Sequence, residues 1–212
     1  MHPIRAVLFD ADGVIQNASR DDLPRGLKRI LGFVPEPLEA FLQDVFDAEL
    51  PALVGQAELV QTLEPVVSKW GAAGTAAALA EAWWCAIEVD AAVLALIGSL
   101  RQLGILCALA TNQHRFRADY MRATFAYDSV FDHSFYSYQL GCAKPDVRYF
   151  QAILASLPFA PAQVLFIDDL ETNVAAARSV GIEAAQFVHP RSAEASSALR
   201  ALLETFSVVL PD

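Results

Sequence analysis

Three short apolar runs, each ending abruptly in polar residues, constrain this chain more than any other feature. Residues 5–9 read Arg-Ala-Val-Leu-Phe and stop at Asp10. Residues 105–110 read Ile-Leu-Cys-Ala-Leu-Ala and stop at Thr111-Asn112. Residues 164–167 read Val-Leu-Phe-Ile and stop at Asp168-Asp169. Runs this short and this apolar match strands covered on both faces, as in a parallel sheet. Weaker runs at 131–136 and 183–188 add two candidate strands.

Helical patterns lie between them. Residues 92–103 carry Val93, Leu94, Leu96, Ile97, Leu100 and Leu103 near helical spacing, and Gly104 follows as a C-cap. Residues 146–157 carry Tyr149, Phe150, Ile153 and Leu154, with Pro145 expected at the first helical position. Residues 170–180 end at Gly181 in the same manner. Strands alternating with helices imply an α/β fold: a Rossmann-like parallel sheet core with helices on both faces.

Residues 16–91 break this rhythm. Leu38, Phe41, Leu42, Val45 and Phe46 make one helical stripe; Leu59, Val60, Leu63, Val66 and Val67 make another; residues 76–87 make a third, with Trp83 and Trp84. Pro35, Pro37, Pro51 and the stretch from Gly71 to Gly74 punctuate the stripes. The pattern predicts an all-helical insertion and no strand.

Composition narrows the function classes. Of 212 residues, 55% are hydrophobic and 19% charged, which suits a folded chain rather than a disordered one. Fifteen Lys and Arg against 25 Asp and Glu leave a net charge of −10. That argues against a nucleic-acid partner and against docking on an anionic membrane. No apolar run approaches the ~20 residues that span a bilayer, and Met-His-Pro-Ile-Arg lacks the pattern of a signal peptide. Cys85, Cys107 and Cys142 have no metal-binding spacing and read as free thiols of a reducing cytoplasm.

The polar residues at the strand ends carry the chemistry. Open parallel sheets bind ligands beyond the carboxyl ends of their strands. Asp10 and Asp12 lie two apart, so both carboxylates can face one pocket, with Gly13 allowing a sharp turn. Adjacent like charges force one acid to protonate unless a cation joins them. With Asp168-Asp169 added, four acids call for a hard cation, and Mg2+ suits oxygen ligands. A phosphoryl group also needs donors for its equatorial oxygens. Lys144, Thr111 and Asn112 supply an ammonium, a hydroxyl and an amide.

In these residues the chain resembles the haloacid dehalogenase-like (HAD) hydrolases. Asp10-Ala11-Asp12-Gly13-Val14 looks like the family's first motif, Thr111-Asn112 its second, Lys144-Pro145 its third, and Asp168-Asp169 with Asn173 its fourth. The resemblance implies that Asp10 is a nucleophile forming an aspartyl phosphate and Asp12 a general acid/base. It implies that Thr111 and Lys144 hold phosphoryl oxygens. It implies Mg2+ held by Asp10, the backbone carbonyl of Asp12, and Asp169 with Asp168. Residues 16–91 fall where the family carries a helical cap, so 1–15 and 92–212 would form the catalytic core. Dehalogenases of the family lack the second aspartate of the first motif, so Asp12 disfavours dehalogenation. The stretches after the motifs resemble small sugar-phosphate phosphatases and the phosphatase-like domains attached to epoxide hydrolases. Gln16-Asn17 departs from the acidic or hydroxyl residues common after the first motif.

The expected function is therefore Mg2+-dependent hydrolysis of a small phosphorylated metabolite. A phosphomutase of the β-phosphoglucomutase type would share every core residue, and a non-catalytic binding module is the alternative of a different class. Other residues take plainer expectations. Asn173 reads as a supporting residue rather than a ligand. His114 reads as a capping or surface residue, because Asp12 already fills the acid/base role. His2, His133 and His189 show no ligand spacing. Trp83 and Trp84 read as packing, and Arg20 and Arg25 as solvated.

Overall fold

The computed structural model describes residues 3–18, 27–29, 31–84 and 87–209. Arg20, Arg25, Cys85 and the side chains of Trp83 and Trp84 lie outside the described residues. In chain order the elements are β1 (Ala6–Phe9), β2 (Gln16–Ala18), α1 (Leu38–Leu53), α2 (Leu59–Lys69), α3 (Ala76–Trp84), β3 (Ile87–Val89), α4 (Ala91–Gln102), β4 (Leu106–Thr111), α5 (Arg115–Phe125), α6 (Tyr127–Val130), β5 (His133–Tyr136), α7 (Ser137–Leu140), α8 (Val147–Ser156), β6 (Val164–Asp168), α9 (Glu171–Ser179), β7 (Glu183–Gln186) and α10 (Ala195–Thr205).

All five expected strands form, and they make one parallel sheet in the order β5-β4-β1-β6-β7. β1 is buried at every position and pairs with β4 on one side and β6 on the other. The strand order reverses beside β1, so the residues following β1, β4 and β6 share one crevice.

Strand side chains alternate between two apolar layers. Val7, Phe9, Leu109 and Ile167 pack with Val93, Ile97, Met121 and Leu199 on one face. Ala6, Leu8, Ala108 and Phe166 pack with Tyr149, Phe150, Ile153 and Val174 on the other. The sheet is thus sandwiched between helices, which is why its strands read as continuous apolar runs.

The insertion between β1 and β4 has an apolar cluster of its own. Phe41, Leu63 and Leu79 meet there with Leu27 and Leu31. It is not all-helical. β2 and β3 pair antiparallel at its root, Gln16 opposite Val89 and Ala18 opposite Ile87. Strands this short show no alternation for the eye to find. Phe46 is 47% exposed rather than part of the buried stripe.

Other boundaries also differ from expectation. Pro145 is not helical: α8 starts at Val147, and the Asp146 carboxylate caps it by accepting the Arg148 N–H at 2.9 Å. Pro51 does not end α1 but sits inside its last turn, where a missing N–H removes only one hydrogen bond. Helices α5 and α10 were not expected. α5 buries only Ala118 and Met121, too few for an apolar stripe. Among the described residues no helix is long and apolar enough to cross a membrane.

Asp132, just ahead of β5, fastens the outer half of the sheet. Its carboxylate accepts the Cys107 N–H at 2.9 Å and the Arg101 Nε and Nη2 at 3.0 and 2.8 Å. Burial pushes this carboxyl up, but the Cys107 N–H and Arg101 outweigh it and hold it below the usual range. A depressed folded pKa stabilises the fold above the unfolded value of about 3.9, and the gain is lost as pH falls through the folded value. Asp132→Asn should cost about 1–2 kcal/mol at pH 7, and urea titrations should show the gap to wild type closing below about pH 4.

Candidate active site

The carboxyl ends of β1, β4 and β6 deliver Asp10, Thr111 and Asp168 to one place. Lys144, from the loop between α7 and α8, reaches into the middle of them. Its ammonium lies 2.9 Å from Asp10 Oδ1 and 2.7 Å from Asp168 Oδ2, and donates to the Ala110 carbonyl at 2.9 Å. Those three contacts use all three of its protons. The side chain is 1% exposed. Burial would strip its charge, but Asp10 and Asp168 outweigh burial and hold its pKa above the ordinary lysine value.

Asn112 fixes the lysine from outside. Its amide donates to the Lys144 carbonyl at 2.8 Å and accepts the Lys144 N–H at 2.9 Å. The Asn112 side chain is therefore occupied with the Lys144 backbone. Asn173 has the expected supporting place: its Nδ2 donates to both oxygens of Asp168, at 2.9 and 3.1 Å. The Leu170 N–H adds a third bond to Asp168 at 2.8 Å.

Asp10, Asp168 and Asp169 form an acidic cluster whose oxygens can lie within 4.8 Å of one another. Burial pushes the Asp10 carboxyl up to about 7, against the pull of Lys144, with Asp168 and Asp12 adding to the rise. Burial and the neighbouring Asp168 raise Asp169 as well. One lysine does not neutralise three carboxylates, and the surplus charge suits a hard cation with oxygen ligands. Asp10 Oδ1 takes Lys144 and the Ala11 N–H, at 2.9 and 2.7 Å. Among the described residues no donor reaches its Oδ2.

Asp12 sits in the opposite environment. Its Oδ1 accepts Gln16 Nε2 at 2.9 Å and Arg117 Nη2 at 2.7 Å, and its Oδ2 accepts Gln113 Nε2 at 3.0 Å. Burial works to raise its pKa, but Arg117 and the hydrogen bonds from Gln16, Arg117 and Gln113 outweigh it, and the carboxyl is held below its ordinary value. Gln113 also donates to Thr111 Oγ1 at 3.2 Å. A hydroxyl that accepts there keeps its own proton to donate elsewhere.

The motif residues Asp10, Asp12, Thr111, Lys144, Asp168 and Asp169 thus converge, while the Asn112 side chain turns to the Lys144 loop. The contacts of Gln113 and Arg117 to Asp12 lie outside the motifs, and Gln16, notable in the sequence only as a departure from the family's pattern, joins them. One signal could have found Arg117. It lies in the first turn of α5, where a cation opposes the helix dipole and calls for a compensating partner. His114 is buried and caps that helix: its Nδ1 accepts the Arg117 N–H at 3.1 Å, and its Nε2 lies 3.2 Å from Glu49 Oε1 on α1.

Comparison with known proteins agrees with this geometry. The family model of haloacid dehalogenase-like hydrolases matches residues 4–181, and the chain belongs to that family. It is 28% identical to the sesquiterpene phosphatase astK of Aspergillus oryzae over 96 residues, 45% of this chain and 49% of astK. It is 40% identical over 53 residues to mouse acyl-CoA dehydrogenase family member 10, covering 25% of this chain and 5% of that protein. The chain thus spans about half or less of these two relatives. Among solved structures, the HAD family enzyme BT-2542 of Bacteroides thetaiotaomicron superposes with a TM-score of 0.79 at 23% identity, covering 93% of this chain and 98% of that one. The same enzyme in complex with magnesium and inorganic phosphate superposes with a TM-score of 0.77 at 22% identity, over 92% and 98% of the two chains.

Gly13 holds the first-motif turn with φ of +78°, and a Cβ there would collide with the Asp169 carboxylate. Positive φ and the collision both penalise a side chain. Gly13→Ala should cost about 2–3 kcal/mol, and calorimetry should show melting lowered by about 4–10 °C.

Proposed function

We propose that this protein is a Mg2+-dependent phosphatase that hydrolyses a small phosphate monoester through an aspartyl phosphate on Asp10. The observation that carries the reading is the contrast between two carboxylates two residues apart. Asp10 is buried against Lys144 with Oδ2 open, and Asp12 is half-exposed and gripped by donors. Such a pair divides nucleophile from acid/base. We assign residues 1–15 and 92–212 to the catalytic core and 16–91 to a cap over it. The free buried thiols Cys107 and Cys142 suit a reducing cytoplasm.

Asp10 Oδ2 attacks phosphorus, the bond from phosphorus to the leaving oxygen breaks, and Asp12 gives that oxygen its proton. Arg117 favours ionised Asp12, whereas a dianionic substrate beside it favours the protonated form. Water then loses a proton to Asp12, attacks the phosphorus, and frees Asp10 and inorganic phosphate. Once phosphorylated, Asp10 no longer carries the charge that holds one Lys144 proton. That N–H can then move to a phosphoryl oxygen, alongside the Thr111 hydroxyl. Asn112 contributes by holding Lys144 in place. Asp10, the Asp12 carbonyl and Asp169 with Asp168 would hold Mg2+, and Lys144 and Asn173 steady Asp168. The ion would supply Lewis-acid stabilisation of the phosphoryl charge.

Asp10→Asn should abolish turnover of 4-nitrophenyl phosphate in the presence of Mg2+; retained turnover would refute the nucleophile. A second expectation concerns metal binding. With Asp10 titrating near 7, the cation must displace a proton below that pH and not above it. Mg2+ should therefore bind more tightly as pH rises from about 6 to 8. Calorimetry in buffers of different ionisation enthalpy should detect the proton released.

A further inference from the structure

The clamp around Asp12 goes beyond what acid/base chemistry requires of one carboxylate. The Asp12 side chain is 40% exposed, and an aspartate so open is ordinarily free to turn about χ1 and χ2. Here three donors from separate parts of the chain fix both oxygens: Gln16 from β2, Gln113 from the turn after β4, and Arg117 from α5. Gln16 is fully buried and is oriented from behind, its Oε1 accepting the Tyr127 hydroxyl at 2.7 Å.

Arg117 stands out among the three. Its side chain is 13% exposed, in the turn of a helix where a cation is disfavoured. Its Nε is buried with no acceptor among the described residues, so the guanidinium is not placed for its own satisfaction. Asp12 is the carboxylate it pairs with, at 2.7 Å.

We propose that Arg117 is a positioning residue for the acid/base step: with Gln16 it saturates Oδ1 of Asp12 and so presents Oδ2 to the leaving oxygen. The inference rests on the phosphatase reading and adds a residue to it. Oδ1 holds two donors, whereas Oδ2 holds only Gln113 and keeps a lone pair for the proton that passes to the leaving group. Because Gln113 also bonds Thr111, the same clamp sets Asp12 relative to the hydroxyl that meets the phosphoryl group.

Leaving groups of different basicity separate this role from a merely structural one. Phenyl phosphate needs its departing oxygen protonated, and 2,4-dinitrophenyl phosphate does not, while both present the same phosphoryl group to Asp10. Wild type, Arg117→Met and Arg117→Lys are compared by kcat/KM on both esters with saturating Mg2+, and by melting temperature to show that each is folded. Arg117→Met should lose about 100-fold on phenyl phosphate, as expected when general acid help is impaired, and less than about threefold on the dinitrophenyl ester. Arg117→Lys should recover part of the loss. Equal losses on the two esters, or no loss on phenyl phosphate, would overturn the proposal. A wild-type protein inactive on both esters is a different result: it would bring down the phosphatase reading, and this inference with it.

Discussion

The Lys144 ammonium, shut between Asp10 and Asp168, is the interaction on which the rest of the site depends. Taking an ammonium out of water costs several kcal/mol unless its charge and all its protons find partners. Here two carboxylates and the Ala110 carbonyl take the three protons at 2.7–2.9 Å. Those acceptors belong to β4, to β6 and to the residue following β1, so one side chain ties the carboxyl ends of three neighbouring strands. The partners are fastened in turn, Asp168 by Asn173 and the Leu170 N–H, and the Lys144 backbone by Asn112. The apolar sheet supplies rigidity, and this lysine aligns the polar edge that emerges from it.

Around that centre the charge is divided unevenly. Asp10 is raised toward neutrality by burial, and Asp12 is held ionised by Arg117 and two glutamines. Two residues of separation along the chain suffice for opposite outcomes, because one points into the lysine layer and the other toward the loop leading to α5. The environment, and not the residue type, sets the proton affinity of each aspartate.

Much of this could be read from the sequence, for physical reasons. Strands covered on both faces must be apolar throughout, so 5–9, 105–110 and 164–167 announced themselves, and their abrupt polar ends marked the crevice. Asp10, Thr111 and Asp168 were legible because strand ends in such a sheet converge, and Lys144, in the loop before α8, through its likeness to the family's third motif. Helix α5 was not, since it buries only Ala118 and Met121 and shows no stripe. Missing α5 meant missing Arg117, whose meaning comes from a tertiary contact with Asp12 more than a hundred positions away. β2 and β3 were missed because three residues are too few to display a period. Asn112 was assigned the right neighbourhood, but sequence could not show that its amide would be taken up by the Lys144 backbone.

The short ribbon of β2 and β3 has a consequence for how such a chain can change. The polypeptide enters the insertion through Gln16 and leaves it through Val89, and these two residues lie side by side. Everything between is a loop closed at its base, with its own apolar interior. A tight turn joining the two strands would make an ordinary hairpin and leave the sheet connected as before, baring Phe116 and Tyr120, which pack against the insertion, and His114, which meets Glu49 on α1. The molecule is thus built as a socket and a plug-in. The length of chain between the two strands can change without recutting the sheet, and Gln16, which bonds Asp12, sits at the rim of that neck.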